Sequence, residues 1–348
     1  MTDPLKYVRP NILRLQPYST ARDEFGGGEI DVWLDANESP YENGVNRYPD
    51  PRHRRLKEKI SEIKGVPADM IFIGGAGSDE AIDLTYRIFC TPGKDKVIIP
   101  SPTYGVYGVA ADINDIKILD IPLGKDFSLP VEEILKVSKE ETNVKLVWVC
   151  SPNNPTGNAF SKEEIIHLAD NFNGIVAVDE AYVDFSSQGS LLHDIKSHPN
   201  LIVLHTFSKA WGMAGLRCGM AFAVPEIASL FNRVKYPYNL NGPTQERILH
   251  LLETETPTNH VEELLSQREW MAGELKKLTW VRKVNPSEAN FLLVEVAEPD
   301  EVYDYLVANG IIVRNRSRVR GCGPTLRFTI GTPDENRRVI ALLQNYKK

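Results

Sequence analysis

The sequence predicts an α/β protein in which a large domain, built on a mostly parallel seven-stranded sheet covered by helices, is followed by a small α+β domain. Short apolar runs such as Leu146–Cys150 and Ile175–Asp179 lack the polar–apolar alternation of a half-exposed strand, so we expect both of their faces to be buried. These runs alternate with helical stretches along the chain, and this alternation is typical of a parallel sheet covered by helices.

The elements of the large domain follow one another in a regular order. The N-terminal region is irregular apart from a short predicted strand at Ile30–Leu34, and a helical pattern after Arg52 ends at Gly65. Seven apolar runs are the strand candidates of the sheet: Met70–Ile73, Lys96–Ile99, Lys117–Asp120, Lys145–Val149, Gly174–Val178, Leu201–His205 and Cys218–Ala223. The helix candidates between them are Ser78–Phe89, Thr103–Ala111, Val131–Val137 and Lys162–Asn171.

The βα alternation breaks at the Pro- and Asn-rich stretch Tyr236–Pro243. We therefore place the large domain at residues 46–240, and we assign residues 1–45 and 241–348 to an N-terminal arm and a small C-terminal domain. A long helical stretch over Gln245–Leu278 opens the small domain. The remaining predicted elements are the strands Asn290–Val294, Ile311–Arg314 and Thr325–Ile330, the helix Pro299–Asn309 between the first two, and a final helix.

The bulk properties of the 348 residues exclude several classes of protein. A net charge of −7 gives no reason to expect a nucleic-acid partner. No window approaches the roughly 20 apolar residues of a membrane span, and the N-terminus has no apolar run of signal-peptide length. The four cysteines lie far apart without metal-ligand spacing, so we expect no bound metal and buried free thiols in a cytoplasmic protein.

A glycine-rich loop, Gly74–Gly77, follows the first predicted strand of the sheet and leads into a helix that begins at Ser78. Small residues let backbone N–H groups approach a phosphate, and the N-terminus of the helix adds a favourable dipole. The alternative is an ordinary glycine turn in which Ser78 or Asp79 caps the helix. The loop alone therefore does not distinguish a phosphate site from a turn.

Two further polar groups follow buried strands of the same sheet. Asn154 lies in a loop after Lys145–Val149, and Asp179 ends the next strand. Ligands of open α/β sheets bind at the carboxyl ends of the strands. A carboxylate at the end of an apolar strand is costly to bury unless it is paired, and a protonated ring nitrogen is a suitable partner. The alternatives are a tight loop for Asn154 and a helix cap or arginine pair for Asp179.

Lys209 follows the strongly apolar strand Leu201–His205, and Arg217 lies eight residues further on. A lysine beside buried apolar residues tends to have a lowered pKa, which suits a Schiff-base nucleophile. The hydroxyls of Thr206 and Ser208 and the guanidinium of Arg217 are groups that bind a phosphate dianion. A single lysine is more often a solvated surface charge, so this pattern has to be weighed together with the others.

The four patterns together indicate one cofactor. Pyridoxal phosphate uses a lysine Schiff base, a carboxylate on its pyridinium nitrogen, and a helix N-terminus with Ser and Arg side chains for its phosphate. Asn154, Asp179, Lys209 and Arg217 stand at successive strand ends. The sequence therefore predicts a pyridoxal 5'-phosphate site at the carboxyl edge of the sheet.

Three blocks of the sequence resemble the signature blocks of the class I/II aminotransferases of fold type I. They read SPNNPTG from Ser151, AVDEAY from Ala177 and TFSKAWGMAGLRCG from Thr206, and the resemblance extends over essentially the whole chain. It implies the fold-type I architecture and a ping-pong transamination. In this chemistry Lys209 is the Schiff-base lysine and moves the proton, and Asp179 keeps the pyridine nitrogen protonated.

The same resemblance implies the roles of further residues around the cofactor. Asn154 and Tyr182 hydrogen-bond the phenolic oxygen, which makes Tyr182 a third catalytic residue beside Lys209 and Asp179. Tyr104 lies over the ring. The phosphate is held by Gly77, Ser78, Asp79, Thr206, Ser208 and Arg217.

Other blocks are similar to the branch of this family that acts on histidinol phosphate. They are LQPYSTAR, LDANESP, NRYPDP, SPTYGVY, IIVRNRS and TLRFTIGT. This similarity implies that histidinol phosphate and glutamate or 2-oxoglutarate are the substrates. It also implies a homodimer in which Tyr48 reaches the cofactor phosphate of the partner subunit. Tyr18, Asn154, Arg314 and Arg327 are the implied substrate-binding residues, with ordinary surface ion pairs or aromatic packing as the alternatives for Tyr18 and the two arginines.

Other functions on this scaffold stay open at this point. An aromatic-amino-acid aminotransferase or a threonine-phosphate decarboxylase would have the same cofactor groups. A non-catalytic regulator with the aminotransferase fold would have no need of all of them. A dinucleotide-binding protein would need the full glycine register that Gly74–Gly77 lacks. The basic segment 314–323 is compatible with a lid over the substrate phosphate or with a solvated hairpin.

Overall fold

The large domain is organised around one sheet of seven strands. A computed structural model describes residues 3–20, 30–255 and 258–346 of the chain, and of residues 258 and 259 only the backbone. The strands of the sheet are β1 (Ile71–Gly77), β2 (Lys96–Ser101), β3 (Lys117–Pro122), β4 (Val144–Cys150), β5 (Ile175–Asp179), β6 (Leu201–Thr206) and β7 (Gly219–Phe222). Each overlaps one predicted strand, and their ends differ by at most four residues, so the seven predicted strands are confirmed.

The strand order is β1-β7-β6-β5-β4-β2-β3. β7 runs antiparallel to both of its neighbours, while the pairs β6–β5, β5–β4, β4–β2 and β2–β3 are parallel. Every residue of β5 and β6 is buried, as expected for strands that are covered on both faces. The carboxyl ends of β4, β5 and β6 therefore lie side by side, and the segments that follow them begin at one edge of the sheet.

Helices cover this sheet and belong to one apolar core with it. The predicted helices Ser78–Phe89 and Lys162–Asn171 are found with those bounds. Ser161 caps the second of them in a capping box with Glu164. The first helix after the N-terminal region ends at Gly65, whose left-handed backbone (φ 67°) closes it. The helices of this part of the chain are Pro10–Leu13, Arg54–Lys64, Ser78–Phe89, Val106–Ile113, Val131–Glu140, Lys162–Asn171, Pro225–Val234 and Gly242–Thr254.

A second sheet of four antiparallel strands lies in the C-terminal part of the chain, in the order β10-β11-β9-β8. Its strands are β8 (Val281–Val284), β9 (Phe291–Val296), β10 (Arg314–Asn315) and β11 (Thr325–Thr329). The helices Thr258–Leu275, Pro299–Ala308 and Pro333–Gln344 accompany this sheet. The predicted α+β character of this region is confirmed.

The buried apolar residues form two large cores, one for each sheet, and a third, smaller cluster. The first includes Tyr7 and Val8 near the N-terminus and ends at Leu252, and the second runs from Met271 to Leu343. The predicted boundary at residue 240 remains a prediction. The packing of Ile248, Leu249 and Leu252 in the first core favours a boundary after the helix Gly242–Thr254.

Three predicted elements differ from the structure. Residues 30–34 form no strand in the described chain, and Val32 and Leu34 are exposed. A strand needs a partner strand as well as suitable residues, so the residues of this stretch did not suffice to predict one. The helix predicted over Gln245–Leu278 is two helices, which Glu255 separates by adopting an extended backbone. The predicted strand Ile311–Arg314 reduces to Arg314–Asn315, where pairing with β11 begins.

Candidate active site

The adjoining ends of β1, β4, β5 and β6 enclose a cavity of about 400 Å³. The structure brings together here the groups that the sequence predicts for the cofactor. The predicted residues that line it are Gly77, Ser78, Asp79, Tyr104, Asn154, Asp179, Tyr182, Thr206, Ser208, Lys209, Arg217, Arg314 and Arg327, and they are joined by Cys150, Ala181 and Arg316.

Asp179 is the last residue of β5 and is only 2% exposed. Its Oδ2 accepts a hydrogen bond from the Tyr107 hydroxyl at 2.7 Å, and its Oδ1 accepts one from the backbone N–H of Ala181 at 3.1 Å. Burial raises the pKa of Asp179 to about 6, although both hydrogen bonds oppose the rise. A carboxylate that is this costly to ionise would be stabilised by a cation in the cavity.

Lys209 opens onto the same cavity from the segment after β6, and its side chain is exposed there. The surrounding protein nevertheless lowers the pKa of its amine, first by desolvation and then through the positive charge of Arg327. The amine lies 5.4 Å from the centre of the buried Tyr182 ring. A lowered pKa increases the fraction of neutral amine, which is the nucleophilic form.

The predicted phosphate cradle forms where β1 meets the helix Ser78–Phe89. Gly77 precedes this helix with φ 78°, so the N-cap position provides no side-chain acceptor for the first N–H groups. A Cβ at Gly77 would lie 2.9 Å from a guanidinium nitrogen of Arg217. Across the cradle, the Ser208 N–H donates to the Thr206 hydroxyl at 3.1 Å. Free helix N–H groups, two hydroxyls and an arginine are suited to a phosphate dianion.

Asp79 and Tyr104 form a separate contact beside the cradle. The Tyr104 hydroxyl donates to Asp79 Oδ1 at 3.1 Å, and the other carboxylate oxygen lies 3.5 Å from Arg217. The carboxylate of Asp79 therefore orients the tyrosine and the arginine. Since a carboxylate repels a phosphate, a role for Asp79 in phosphate binding would fall to its backbone N–H in the first turn of the helix.

Arginine side chains form the other wall of the cavity. Arg327 of β11 donates from Nη1 to Asn154 Oδ1 and lies over the Phe291 ring at 5.0 Å. Arg314 of β10 pairs with Arg327 in the register of the two strands. Burial lowers the pKa of both Arg327 and Arg316. The small sheet thus carries positive charge toward the cofactor groups of the large sheet.

The sequence prediction missed two residues of this site. Tyr107 belongs to the block SPTYGVY, but nothing in its spacing indicates that it reaches Asp179. Arg316 stands two residues after Arg314, so strand periodicity could have placed both on one face. The Nε atoms of Arg316 and Arg327 are buried, and within the described chain neither has a hydrogen-bond partner. Buried guanidinium donors of this kind are suited to binding an anion.

Tyr18 and Tyr48 lie apart from this cavity in the described part of the single chain. Tyr18 is 76% exposed and lines a different depression, of about 470 Å³, together with Arg52 and Lys235. Tyr48 is exposed and its ring stacks on Tyr238 at 4.3 Å. The described chain does not bring either residue to this cavity, and their predicted roles stay predictions.

The groups of the cavity are those that pyridoxal-phosphate-dependent transferases use to hold their cofactor. Residues 22–343 match the model of the family "Aminotransferase class I and II". The chain belongs to this family.

A histidinol-phosphate aminotransferase of Parabacteroides distasonis is 49% identical over all of both chains. The solved histidinol-phosphate aminotransferase of Clostridium acetobutylicum has 25% identity and a TM-score of 0.77, with 86% of this chain and 90% of that chain covered. The enzyme of Sinorhizobium meliloti, solved in complex with pyridoxal-5'-phosphate, shares the fold at 20% identity and a TM-score of 0.77, with 86% and 83% covered. The predicted family and fold-type I architecture are confirmed.

Proposed function

We propose that this protein binds pyridoxal 5'-phosphate and catalyses amino-group transfer between histidinol phosphate and 2-oxoglutarate, which gives imidazole-acetol phosphate and glutamate in histidine biosynthesis. The observation that carries the substrate assignment is the arginine wall formed by Arg314, Arg316 and Arg327 opposite Asp179 and Lys209. A substrate with a phosphate would satisfy the buried guanidinium donors of that wall. The name shared by the relatives supports the same assignment.

The residues present fit the cofactor. Its phosphate matches the cradle of Gly77, Ser78, Thr206, Ser208 and Arg217, and its pyridinium nitrogen is the cation that Asp179 lacks. The buried position of Asp179 is the independent observation, because it would be costly without such a partner. The cavity of about 400 Å³ lies in the size range of small-molecule sites.

Pyridoxal phosphate, when bound, supplies an electron sink for the bonds of a substrate amine carbon. The chain supplies the rest. Lys209 would hold the cofactor covalently, and its amine would move the proton of the substrate carbon. Asp179 would keep the ring nitrogen protonated. Tyr182 and Asn154 would donate hydrogen bonds toward the phenolic oxygen.

Anion recognition has to serve two substrates in turn. Glutamate presents carboxylates and histidinol phosphate presents a phosphate, and both are ligands for an arginine fork. Arg327 holds the Asn154 side chain in the described structure, so it connects the substrate wall with the cofactor groups. In the basic segment 314–323, Arg314 and Arg316 line the cavity, while Arg320 pairs with Asp120 of β3 at 2.7 Å. We infer that only the first part of the segment contacts substrate.

We further infer a cytoplasmic homodimer. The aromatic residues Tyr18, Tyr41, Tyr48 and Tyr236 are exposed, and exposed aromatic side chains are candidates for a protein interface. A second subunit would bring Tyr48 to the cofactor phosphate and Tyr18 to the substrate of its partner. The four cysteines are buried free thiols, which suits a reducing compartment. Among the described residues, no helix has the length and apolarity that crossing a bilayer requires.

The substrate assignment is tested by half-reactions of the purified protein with histidinol phosphate, phenylalanine and threonine phosphate. We expect histidinol phosphate to discharge the visible absorbance of the bound cofactor about 100-fold faster than phenylalanine, because a substrate without phosphate leaves the arginine wall unpaired. Faster reaction with phenylalanine would make the protein an aromatic-amino-acid aminotransferase. Release of carbon dioxide from threonine phosphate would make it a decarboxylase.

Substitution of Arg327 by methionine should weaken binding of histidinol phosphate. We expect KM to rise about 10- to 100-fold, the range for loss of a hydrogen bond between charged groups. Arg320→Met is the matched control, because it removes an exposed arginine of the neighbouring basic segment that is paired with Asp120. Steady-state kinetics of both variants provide the measurement. An equal KM change in both variants would argue against a direct contact between Arg327 and substrate.

A further inference from the structure

Asp179 lies at the end of a buried aromatic column formed by Tyr86, Trp148 and Tyr107. We propose that Tyr107 is a positioning residue, which acts through Asp179 to keep that carboxylate ionised and aimed at the cofactor ring. This inference rests on the proposed cofactor site. Tyr107 itself has no proposed contact with cofactor or substrate.

Packing fixes the hydroxyl of Tyr107. The residue is fully buried, and its ring stacks on the Trp148 indole with 4.8 Å between centroids and 3° between planes. The Tyr104 ring meets it edge-on at 5.5 Å. These two aromatic contacts restrict the rotation of the Tyr107 ring, so its hydroxyl is held 2.7 Å from Asp179 Oδ2. The contact joins residues that are 72 positions apart in the sequence.

The Tyr107 hydroxyl is the donor in its hydrogen bond with Asp179. The pKa of Tyr107 lies well above its usual value because of burial, so Tyr107 donates and Asp179 accepts at every physiological pH. Removal of this donor would raise the pKa of Asp179 further above about 6. A protonated Asp179 would hold a positively charged ring nitrogen less well. The other ionisable groups that act on Asp179 or are acted on by it are Asp79, Tyr104, Cys150, Tyr182 and Lys209.

Tyr86 of the aromatic column provides a control for the substitution of Tyr107. The Tyr86 hydroxyl donates to the backbone oxygen of Tyr107 at 2.8 Å, and the Tyr86 ring lies 6.0 Å from Trp148. Tyr86 is as buried as Tyr107. The substitutions Tyr107→Phe and Tyr86→Phe each delete one buried phenolic O–H from the same cluster, but only the first removes a donor from Asp179.

The experiment compares the wild-type holoenzyme with these two variants. Two measurements are made on each, a pH titration of the visible absorbance of the bound cofactor and the dissociation constant of pyridoxal phosphate. In Tyr107→Phe we expect the titration midpoint to rise by about 0.5 to 1 unit and the dissociation constant to rise about 10-fold, the scale of one hydrogen bond to a charged group. A cofactor ring that carries less positive charge withdraws less electron density from the group that titrates. The pKa of that group, and with it the titration midpoint, therefore rises. In Tyr86→Phe both quantities should stay within about twofold or 0.2 unit of wild type, even if both variants lose thermal stability.

The possible outcomes separate this inference from the cofactor site. Equal shifts in the two variants, or no shift in either, would overturn the role of Tyr107 while the wild-type holoenzyme remains intact. A wild-type protein that takes up no pyridoxal phosphate would overturn the cofactor site and the inference with it. A midpoint that rises only in Tyr107→Phe supports the inference whichever amino donor the enzyme prefers.

Discussion

Replacement of Lys209 by alanine is expected to lower the rate of amino transfer by about 10⁴-fold, the upper end of what one general acid–base group contributes. Borohydride should fix the cofactor to the wild-type chain on the peptide that contains Lys209, and it should fix none to that peptide in the variant. The physical reason is that the lowered pKa of Lys209, caused by desolvation and by Arg327, provides neutral amine at the end of β6, opposite Asp179. Peptide mapping by mass spectrometry and single-turnover kinetics are the two measurements.

Lys57 provides a demanding control for this result. Burial and the neighbouring Lys235 lower the pKa of Lys57 to about 8, so it is a second amine with increased nucleophilicity. It lines the depression near Tyr18 and lies outside the cavity around Lys209. The variant Lys57→Met should therefore keep full activity and full labelling at Lys209. Labelling that moves to Lys57, or that depends on it, would show that a lowered pKa alone explains the trapping and would contradict the role of Lys209.

Three of the cofactor groups could be predicted from the sequence because each one ends or closely follows a buried strand, whereas Arg217 lies just before β7. Asp179 ends β5, and Asn154 and Lys209 lie three or four residues beyond β4 and β6. Parallel strands place their carboxyl ends at one edge of the sheet, so the position of each residue along the chain was enough to predict that these side chains lie close together. The glycine loop before the helix Ser78–Phe89 could be placed for the same reason.

Other parts of the site depend on contacts that a linear pattern does not contain. The hydrogen bond from Tyr107 to Asp179 requires the stacking of Tyr107 on Trp148, which sets the ring angle. The approach of Arg316 to the cavity depends on how the small sheet packs against the large one. The strand predicted at residues 30–34 is wrong for a related reason, since apolar residues form a strand only where a neighbouring strand pairs with them.

Replacement of Asp179 by asparagine is expected to reduce amino transfer by about 10³-fold, the scale of removing one preorganised electrostatic partner. An amide does not keep the ring nitrogen protonated, so the electron sink becomes weaker. The variant should still bind pyridoxal phosphate through Lys209 and the phosphate cradle. Rapid-mixing kinetics of the half-reaction measure the loss. A variant within about tenfold of wild type would contradict the assignment of Asp179 to the ring nitrogen.

The same substitution should change how the stability of the cofactor-free protein depends on pH. The pKa of Asp179 rises from 3.8 to about 6 in the folded chain, so the ionised carboxylate costs about 3 kcal/mol, at 1.36 kcal/mol for each pKa unit. Since the folded pKa is the higher one, this cost is fully present above about pH 6 and absent below about pH 4. The amide of an asparagine accepts from only one of the two donors, Tyr107 and Ala181, a loss of about 1–3 kcal/mol at every pH. We therefore expect the denaturant midpoint of Asp179→Asn, measured relative to wild type, to be higher at pH 8 than at pH 4.

Substitution of the neighbouring residue, Glu180, is a control for the loss of a buried carboxylate. Glu180 is 3% exposed, but it accepts hydrogen bonds from the backbone N–H of Leu191 at 2.8 Å and from the Ser190 hydroxyl, and it pairs with His205 at 2.8 Å. Glu180→Gln would turn an amide toward one of these donors and should lower the free energy of unfolding by about 1–3 kcal/mol. The loss of stability in Glu180→Gln therefore measures the cost of turning an amide toward a buried donor, the same cost that offsets part of the gain from removing the Asp179 charge.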